Sequence, residues 1–174
     1  TQSGNFSVTV TANDNATPSA SGSTVFSFNV GKGTPVITWS PANLVSGSAL
    51  GTAQLNATAN VPGSFIYSPG AGALLAVGTH QLSASFTPTD SANYNPASAS
   101  VSIQVTKAVP VISWVKPRDI AEGSALSATQ LNATANVSGT FTYSPALNAV
   151  LPVGTHALSV TFVPDDSINY TTVS

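Results

Sequence analysis

Residues 54 to 69 read QLNATANVPGSFIYSP, and residues 130 to 145 repeat them as QLNATANVSGTFTYSP. Three positions differ, and each change keeps side-chain size or turn character (Pro62/Ser138, Ser64/Thr140 and Ile66/Thr142). The proline-bearing segments that open the two copies start 75 residues apart (110 − 35 = 75). Solenoid and propeller repeats are only about 20–50 residues long. A unit of this greater length can hold its own core, so the repeat predicts tandem domains.

The composition is typical of a β-rich extracellular protein. Charged residues make up 6% of the chain, against about 25% in an average soluble domain. No apolar run approaches the ~20 residues of a membrane-spanning helix, so we expect no membrane span. Four basic residues and a net charge of −2 are too few for a phosphate-tracking surface, so we expect no nucleic acid partner. Cysteine and methionine are absent, which fits either chance or adaptation to an oxidising exterior.

Alternation of apolar and polar residues predicts strands along the whole chain. Residues 4–12 place Phe6, Val8 and Val10 on one half-buried face, and a second strand follows near Phe28. We therefore interpret residues 1–33 as an N-terminal strand pair, which is too short to be a domain by itself. No segment shows a sustained helical period.

Each of the two longer units contains several short strands separated by turns. In the first unit we predict short strands at 36–39, 53–59, 64–68 and 74–77, an alternating strand at 79–87 and a last strand at 99–106. The apolar face of that last strand consists of Val101, Ile103 and Val105. This pattern predicts an all-β fold of tandem small immunoglobulin-like antiparallel β-sandwiches. The domains are residues 34–107 and residues 108–174, and the latter lacks its last strand.

The predicted cores follow from matching the two copies. Aromatic and leucine residues stand at equivalent places in both (Trp39/Trp114, Leu55/Leu131, Phe65/Phe141, Tyr67/Tyr143, Phe86/Phe162 and Tyr94/Tyr170). We expect a buried Trp to anchor each core, so that its replacement by Ala costs about 3–5 kcal/mol.

These motifs resemble a known family. The segments TPVITW (34–39), QLNATANV (54–61) and VGTH (77–80), with a lysine before the next unit, are similar to the bacterial Ig-like repeats of the group 3 type. Such repeats occur in long arrays in large secreted and surface-attached proteins. The resemblance covers residues 34–174 closely and residues 1–33 loosely. It implies an Ig-like sandwich, an extracellular location and no catalysis.

The candidate metal ligands are Asp90, Asp165 and Asp166, in the loops that precede the last strand of each unit. Oxygen-rich loops can hold Ca²⁺, which takes six to eight oxygen ligands. The favoured interpretation is that these carboxylates cap backbone amides in Asx-turns. No cofactor is therefore expected, with calcium as the open alternative. His80 and His156 stand alone, and we interpret them as rim residues of the core rather than zinc ligands or bases.

The predicted function is structural. We expect a non-enzymatic module of an extracellular fibre, stalk or surface repeat protein, secreted or at the cell surface. Its partners would be copies of itself, head to tail, or neighbouring Ig-like repeats. The alternative is an adhesin that binds a surface glycan or protein through its loops, and an exposed Trp39 or Trp114 would favour it.

One mechanism of assembly follows from the incomplete second domain. A sandwich without its last strand invites strand addition, and Phe6, Val8 and Val10 could take the places of Val101, Ile103 and Val105. Such head-to-tail contacts propagate as a filament. Alternatively, residues 1–31 are the final two strands of a preceding unit in a longer array. Gly4 would then match Gly78, and Phe28 would match Ile103.

Overall fold

The computed structural model describes residues 2–18 and 20–174, and none of these residues is helical. No helix that could cross a membrane is therefore found among them, and the predicted all-β class is confirmed. The described residues form twelve strands. They are β1 (Gly4–Asn13), β2 (Ser21–Val30), β3 (Ile37–Thr38), β4 (Leu44–Val45), β5 (Thr58–Ala59), β6 (Gly63–Ser68), β7 (Gly78–Pro88), β8 (Ala97–Thr106), β9 (Ile112–Ser113), β10 (Thr134–Ala135), β11 (Gly139–Ser144) and β12 (Ser159–Pro164).

The chain divides into two compact units. The first comprises Thr1–Pro41, Gly51–Ala71 and Gln81–Val101, and the second comprises Ala42–Leu50, Gly72–His80 and Ser102–Ser174. Below, residues 34–107 are called the first repeat and residues 108–174 the second repeat. These names follow the sequence, and the predicted domain bounds stay predictions.

The largest sheet has the strand order β4-β8-β7-β6. Strands β6 and β7 are antiparallel with Phe65 opposite Phe86, and β4 and β8 are parallel with Leu44 opposite Val105. Alternate residues of β7 and β8 are buried (Leu82, Ala84, Phe86, Ile103 and Val105). The inward faces predicted for these two strands are confirmed, because the alternation of a strand sends successive side chains to opposite faces.

The second repeat reproduces part of this arrangement. Strands β11 and β12 are antiparallel with Phe141 opposite Phe162. The matched glycines Gly63 and Gly139 explain how each pair packs so closely. A side chain at either glycine would collide with the ring of Phe86 or Phe162 and with the next carbonyl of the neighbouring strand.

The two repeats differ in where the strand that ends in the buried phenylalanine segment, β7 or β12, begins. Strand β7 begins at Gly78, whereas β12 begins at Ser159, five residues after Gly154, the residue that matches Gly78 (159 − 154 = 5). Val173, which matches Ala97 at the start of β8, forms a bridge with Phe162, with backbone hydrogen bonds of 2.8 and 3.1 Å.

Strands β1 and β2 form the N-terminal hairpin, with a continuous antiparallel register from Gly4 opposite Val30 to Asn13 opposite Ser21. The strand prediction is confirmed, but the half-buried face is wrong along most of β1. Val8, Val10, Phe26 and Phe28 are all exposed. The ring centroids of Phe6 and Phe28 lie 5.7 Å apart. The two-stranded ribbon leaves these four side chains exposed on its surface.

Several short strand predictions need correction. Residues 74–77 are not a strand: Leu74 is 70% exposed and makes one bridge, to Ala49. The segment lies between two glycines of positive φ, Gly72 in a turn and Gly78 at the start of β7. Of the predicted strand at 53–59, only Thr58–Ala59 is extended, since residues 52–54 form a turn.

The prediction that each core contains a buried Trp is also wrong in the extent of burial. Trp39 and Trp114 are half-buried, and each indole Nε1–H donates to a backbone carbonyl, that of Gln54 at 2.8 Å and that of Gln130 at 2.9 Å. The largest fully buried side chains are Phe86 and Phe162. An indole must place its N–H beside an acceptor, which keeps it near the backbone at the edge of the core.

Candidate interaction site

The first joint is the contact of Lys32 and Gly33 with the loop at residues 90–95. Gly33 N donates to Asn93 O at 2.9 Å, and Asn95 N donates to Gly33 O at 2.9 Å. Lys32 Nζ donates to Ser91 O at 2.7 Å. The residues that link the hairpin to the first repeat are therefore hydrogen-bonded to a loop near the end of that repeat.

The second joint repeats this geometry with Lys107 and Ala108 against residues 166–171. Ala108 N donates to Asn169 O at 2.8 Å, and Thr171 N donates to Ala108 O at 2.9 Å. Lys107 Nζ donates to Ser167 O at 2.6 Å. The same lysine, backbone pair and loop thus recur where one repeat ends and the next begins.

An asparagine organises each joint. The Asn93 backbone N and Nδ2 donate to Asp90 Oδ1 and Oδ2 at 3.1 and 2.8 Å, while Asn93 Oδ1 accepts from Ser3 N at 2.5 Å. Asn169 makes the matched bonds to Asp166 at 3.0 and 2.9 Å. Its Oδ1 accepts from Ser46 Oγ at 2.9 Å.

These hydrogen bonds act on the carboxylates. The Asn93 side chain, and then its backbone amide, hold the pKa of Asp90 below its ordinary value. Asn169 lowers the pKa of Asp166 in the same way, with a smaller contribution from the charge of Lys107. A carboxylate that accepts hydrogen bonds in its charged form titrates at lower pH.

The three candidate calcium ligands make different contacts in the structure. Asp90 and Asp166 cap the loops of the joints, as the Asx-turn interpretation predicts. Asp165 matches Thr89, and its backbone N donates to Ser138 O at 3.1 Å. Within residues 2–18 and 20–174, no three His, Cys, Asp or Glu residues come together as a metal-binding group.

The two histidines make the same local contact. His80 Nε2 lies 2.7 Å from Ala76 O, and His156 Nε2 lies 2.7 Å from Pro152 O. A carbonyl only accepts, so Nε2 carries the proton in both rings. His80 is half-buried on the same face of β7 as Leu82, as predicted for a rim residue, whereas His156 is exposed before β12 begins.

A groove of about 650 Å³ opens in the second repeat. One wall contains Ile120 and the other contains Gly154, His156 and Leu158, with Leu126 also lining it. Ile120 matches Leu44 of β4 because the hydrogen bond from Ser48 N to Val45 O recurs from Ser124 N to Ala121 O. Gly154 and Leu158 match Gly78 and Leu82 of β7.

The lining therefore corresponds to the two neighbours of β8, one on each side of that strand. Leu44 is 6% exposed beside β8, whereas Ile120 is 37% exposed beside the groove. The groove occupies the place that β8 takes in the first repeat.

The predicted donor residues Phe6, Val8 and Val10 lie in β1, opposite β2. The glycines matched in the sequence share one backbone conformation: the φ angles of Gly4, Gly78 and Gly154 are 142, 136 and 144°. This left-handed region is one that only glycine enters without strain.

Sequence reasoning missed the joints. Lys32 and Lys107 were visible as linker residues, and the loops were visible as repeated Asp-x-x-Asn. The signal that would have connected them is their common spacing: Lys32 and Asn93 are separated by 61 residues and Lys107 and Asn169 by 62.

No protein-family model, curated protein or solved structure matches the chain.

Proposed function

We propose that the chain is a non-enzymatic structural segment of an extracellular fibre, stalk or surface repeat protein. In this proposal residues 34–107 and 108–174 are small Ig-like β-sandwiches in tandem, related to the bacterial repeats that their motifs resemble. The observation that carries the proposal is the recurrence of one joint, with the same lysine, asparagine and aspartate, at both junctions.

The joints support a mechanical role because they leave the linkers little freedom. Each linker both donates and accepts a backbone hydrogen bond at one residue, at Gly33 in the first and at Ala108 in the second. Flexible linkers are instead rich in unpaired Gly and Ser. A hydrogen-bonded connection of this kind resists extension under load, as the segments of a stalk or fibre must.

The composition supports the proposed location. The chain contains no cysteine or methionine, the two residues most easily oxidised outside the cell. Its low charge and many hydroxyl and amide side chains suit a secreted or surface-attached protein. The partners in this proposal are copies of the chain, head to tail, or adjoining repeats of the same kind.

Single-molecule force spectroscopy of the full chain, held at both ends, tests the proposal. Two separate unfolding events are expected, each releasing about 200–250 Å for a repeat of roughly 70 residues. A single event that releases the whole chain, or unfolding without measurable force, would contradict a tandem mechanical segment. Binding of the chain to a glycan array would favour the adhesin instead.

A further inference from the structure

Two strands of the first repeat lie side by side between the points where the chain enters and leaves it. Strand β4 follows the entry, β8 leads to the exit, and the two are parallel with Leu44 opposite Val105. Leu44 is 6% exposed and Val105 is 0% exposed, so the inner side of this strand pair is closed to water. The following inference rests on the proposed function, because it concerns how the first repeat carries tension.

Hydrogen bonds extend the pairing beyond both ends of β4. Gln104 N donates to Asn43 Oδ1 at 3.0 Å before the strand. Ser46 N donates to Thr106 O at 2.8 Å after it. The attachment of this segment to β8 therefore extends over residues 43–46.

The parallel orientation decides how tension acts on these bonds. Tension along the chain pulls β4 toward the N-terminus and β8 toward the C-terminus. Because the strands are parallel, these two pulls slide them along each other, and the hydrogen bonds between them share the load. A pull that separated the strands from one end would break the same bonds one at a time. The strand order thus places a shear-loaded pair between the entry and the exit of the repeat.

The second repeat reaches this strand pair through Ser46. Ser46 Oγ donates to Asn169 Oδ1 at 2.9 Å, in the loop of the second joint. Asn169 is itself held by Asp166, which accepts from its backbone N and its Nδ2 at 3.0 and 2.9 Å. Lys107 and Ala108, which follow β8, are hydrogen-bonded to the same loop. The residue after β4 and the residues after β8 are therefore tied to one loop.

We propose that β4 and β8 are the mechanical clamp of the first repeat, and that the loop at residues 166–171 of the second repeat locks this clamp through Ser46. Sliding β4 against β8 moves Ser46 away from Thr106 and from Asn169 together, so the lock adds to the force that the strand pair withstands. The first repeat thus owes part of its resistance to tension to a residue of the second.

Optical-tweezers pulling of the full chain tests the clamp, and the attachment points are free to choose because the sequence contains no cysteine. DNA handles on the T34C/V109C variant apply tension across the first repeat alone. We expect one unfolding event that releases about 250 Å for the 75 residues between the handles (109 − 34 = 75). In the S48C/V109C variant both handles act at the same end of the strand pair, so the bonds break one after another and the force should be lower. Equal forces in both geometries would overturn the clamp.

Substitutions in the T34C/V109C background test the lock. S46A should raise the unfolding rate at constant force about fivefold, the effect of losing one hydrogen bond. N169A should raise it at least as much, and S46A should then have no further effect, since both changes remove the same contact. The matched control is S48A, at an exposed position two residues along the chain, and it should leave the rate unchanged. An unchanged rate in S46A, or additive effects in the double variant, would overturn the lock.

The outcome separates this inference from the proposed function. Two unfolding events of the chain held at both ends, with no effect of S46A or N169A, would leave the tandem mechanical segment standing and refute the lock. The absence of a measurable unfolding force in every geometry would instead refute the proposed function itself.

Discussion

Strands β7–β8 and strands β1–β2 are two hairpins of similar length with different surroundings. Both begin with a glycine of positive φ, at Gly78 and Gly4, and both alternate apolar and polar residues. Leu82 is 0% exposed, whereas its counterpart Val8 is 51% exposed. The alternation therefore determines which side chains share a face, but the elements packed against that face determine whether they are buried.

The two repeats show the same contrast, although residues 54–69 and 130–145 differ at only three positions. Where β8 is present, β7 extends back to Gly78 and Leu44 is buried beside it. In the second repeat β12 begins only at Ser159, and Ile120 and Leu158 line an open groove. The predictions below test this difference, from the largest expected effect to the smallest.

Truncation of the matched leucines should separate the repeats most clearly. Leu82→Ala removes a fully buried side chain and should lower the free energy of unfolding of the first repeat by about 2–5 kcal/mol. Leu158→Ala should cost the second repeat about half as much, because Leu158 is only half-buried. Urea denaturation followed by Trp fluorescence measures this. Trp114→Phe or Trp39→Phe backgrounds report one repeat at a time. Equal losses would contradict the open groove.

Alanine at the matched glycines should affect both repeats alike. Gly63→Ala and Gly139→Ala each force a Cβ against a buried phenylalanine ring and a backbone carbonyl, so each should destabilise its repeat by about 1–3 kcal/mol. Gly51→Ala is the control, since a Cβ there meets no atom within 4 Å, and it should change stability by less than about 0.5 kcal/mol. A large difference between the two glycine variants would show that β6–β7 and β11–β12 are not equivalent.

The joints predict a smaller, pH-dependent effect. The folded-state pKa values of Asp90 and Asp166 are lowered by Asn93 and Asn169. The stabilisation is therefore fully present above the unfolded-state pKa near about 4 and is lost as the pH falls through the lowered folded values. Melting temperatures between pH 6 and pH 2 measure this loss. The melting temperature of the D90N/D166N variant should decrease less steeply below pH 4. An unchanged slope would show that the joints do not cause the loss of stability.

Chelation is expected to have the smallest effect. Both carboxylates of the joints already accept two hydrogen bonds from asparagine, so EDTA should leave the melting temperature unchanged. A decrease of several degrees that calcium restores would contradict the Asx-turn interpretation and support a calcium site at Asp90 or at Asp165 and Asp166.

The strand faces and the loop caps of this molecule depend on local sequence, and these could be predicted. The alternation at residues 79–87 and 99–106 predicts the buried faces of β7 and β8, and the repeated Asp-x-x-Asn predicts the caps. Burial of Val8 or Trp39 could not be predicted in the same way, since it depends on which distant segments cover them. The lining of the groove by Ile120 and Leu158 likewise becomes evident only from strand order.

The central claim is that, within residues 2–18 and 20–174, the segment at residues 154–158 has no strand partner, whereas its counterpart at residues 78–82 belongs to β7. Hydrogen–deuterium exchange of the full chain tests this directly. We expect slow exchange at residues 78–82, fast exchange at residues 154–158, and slowing at the latter alone when the peptide of residues 97–107 is added. Equally slow exchange of both segments without the peptide would contradict the account, as would an unchanged rate at residues 154–158 with it.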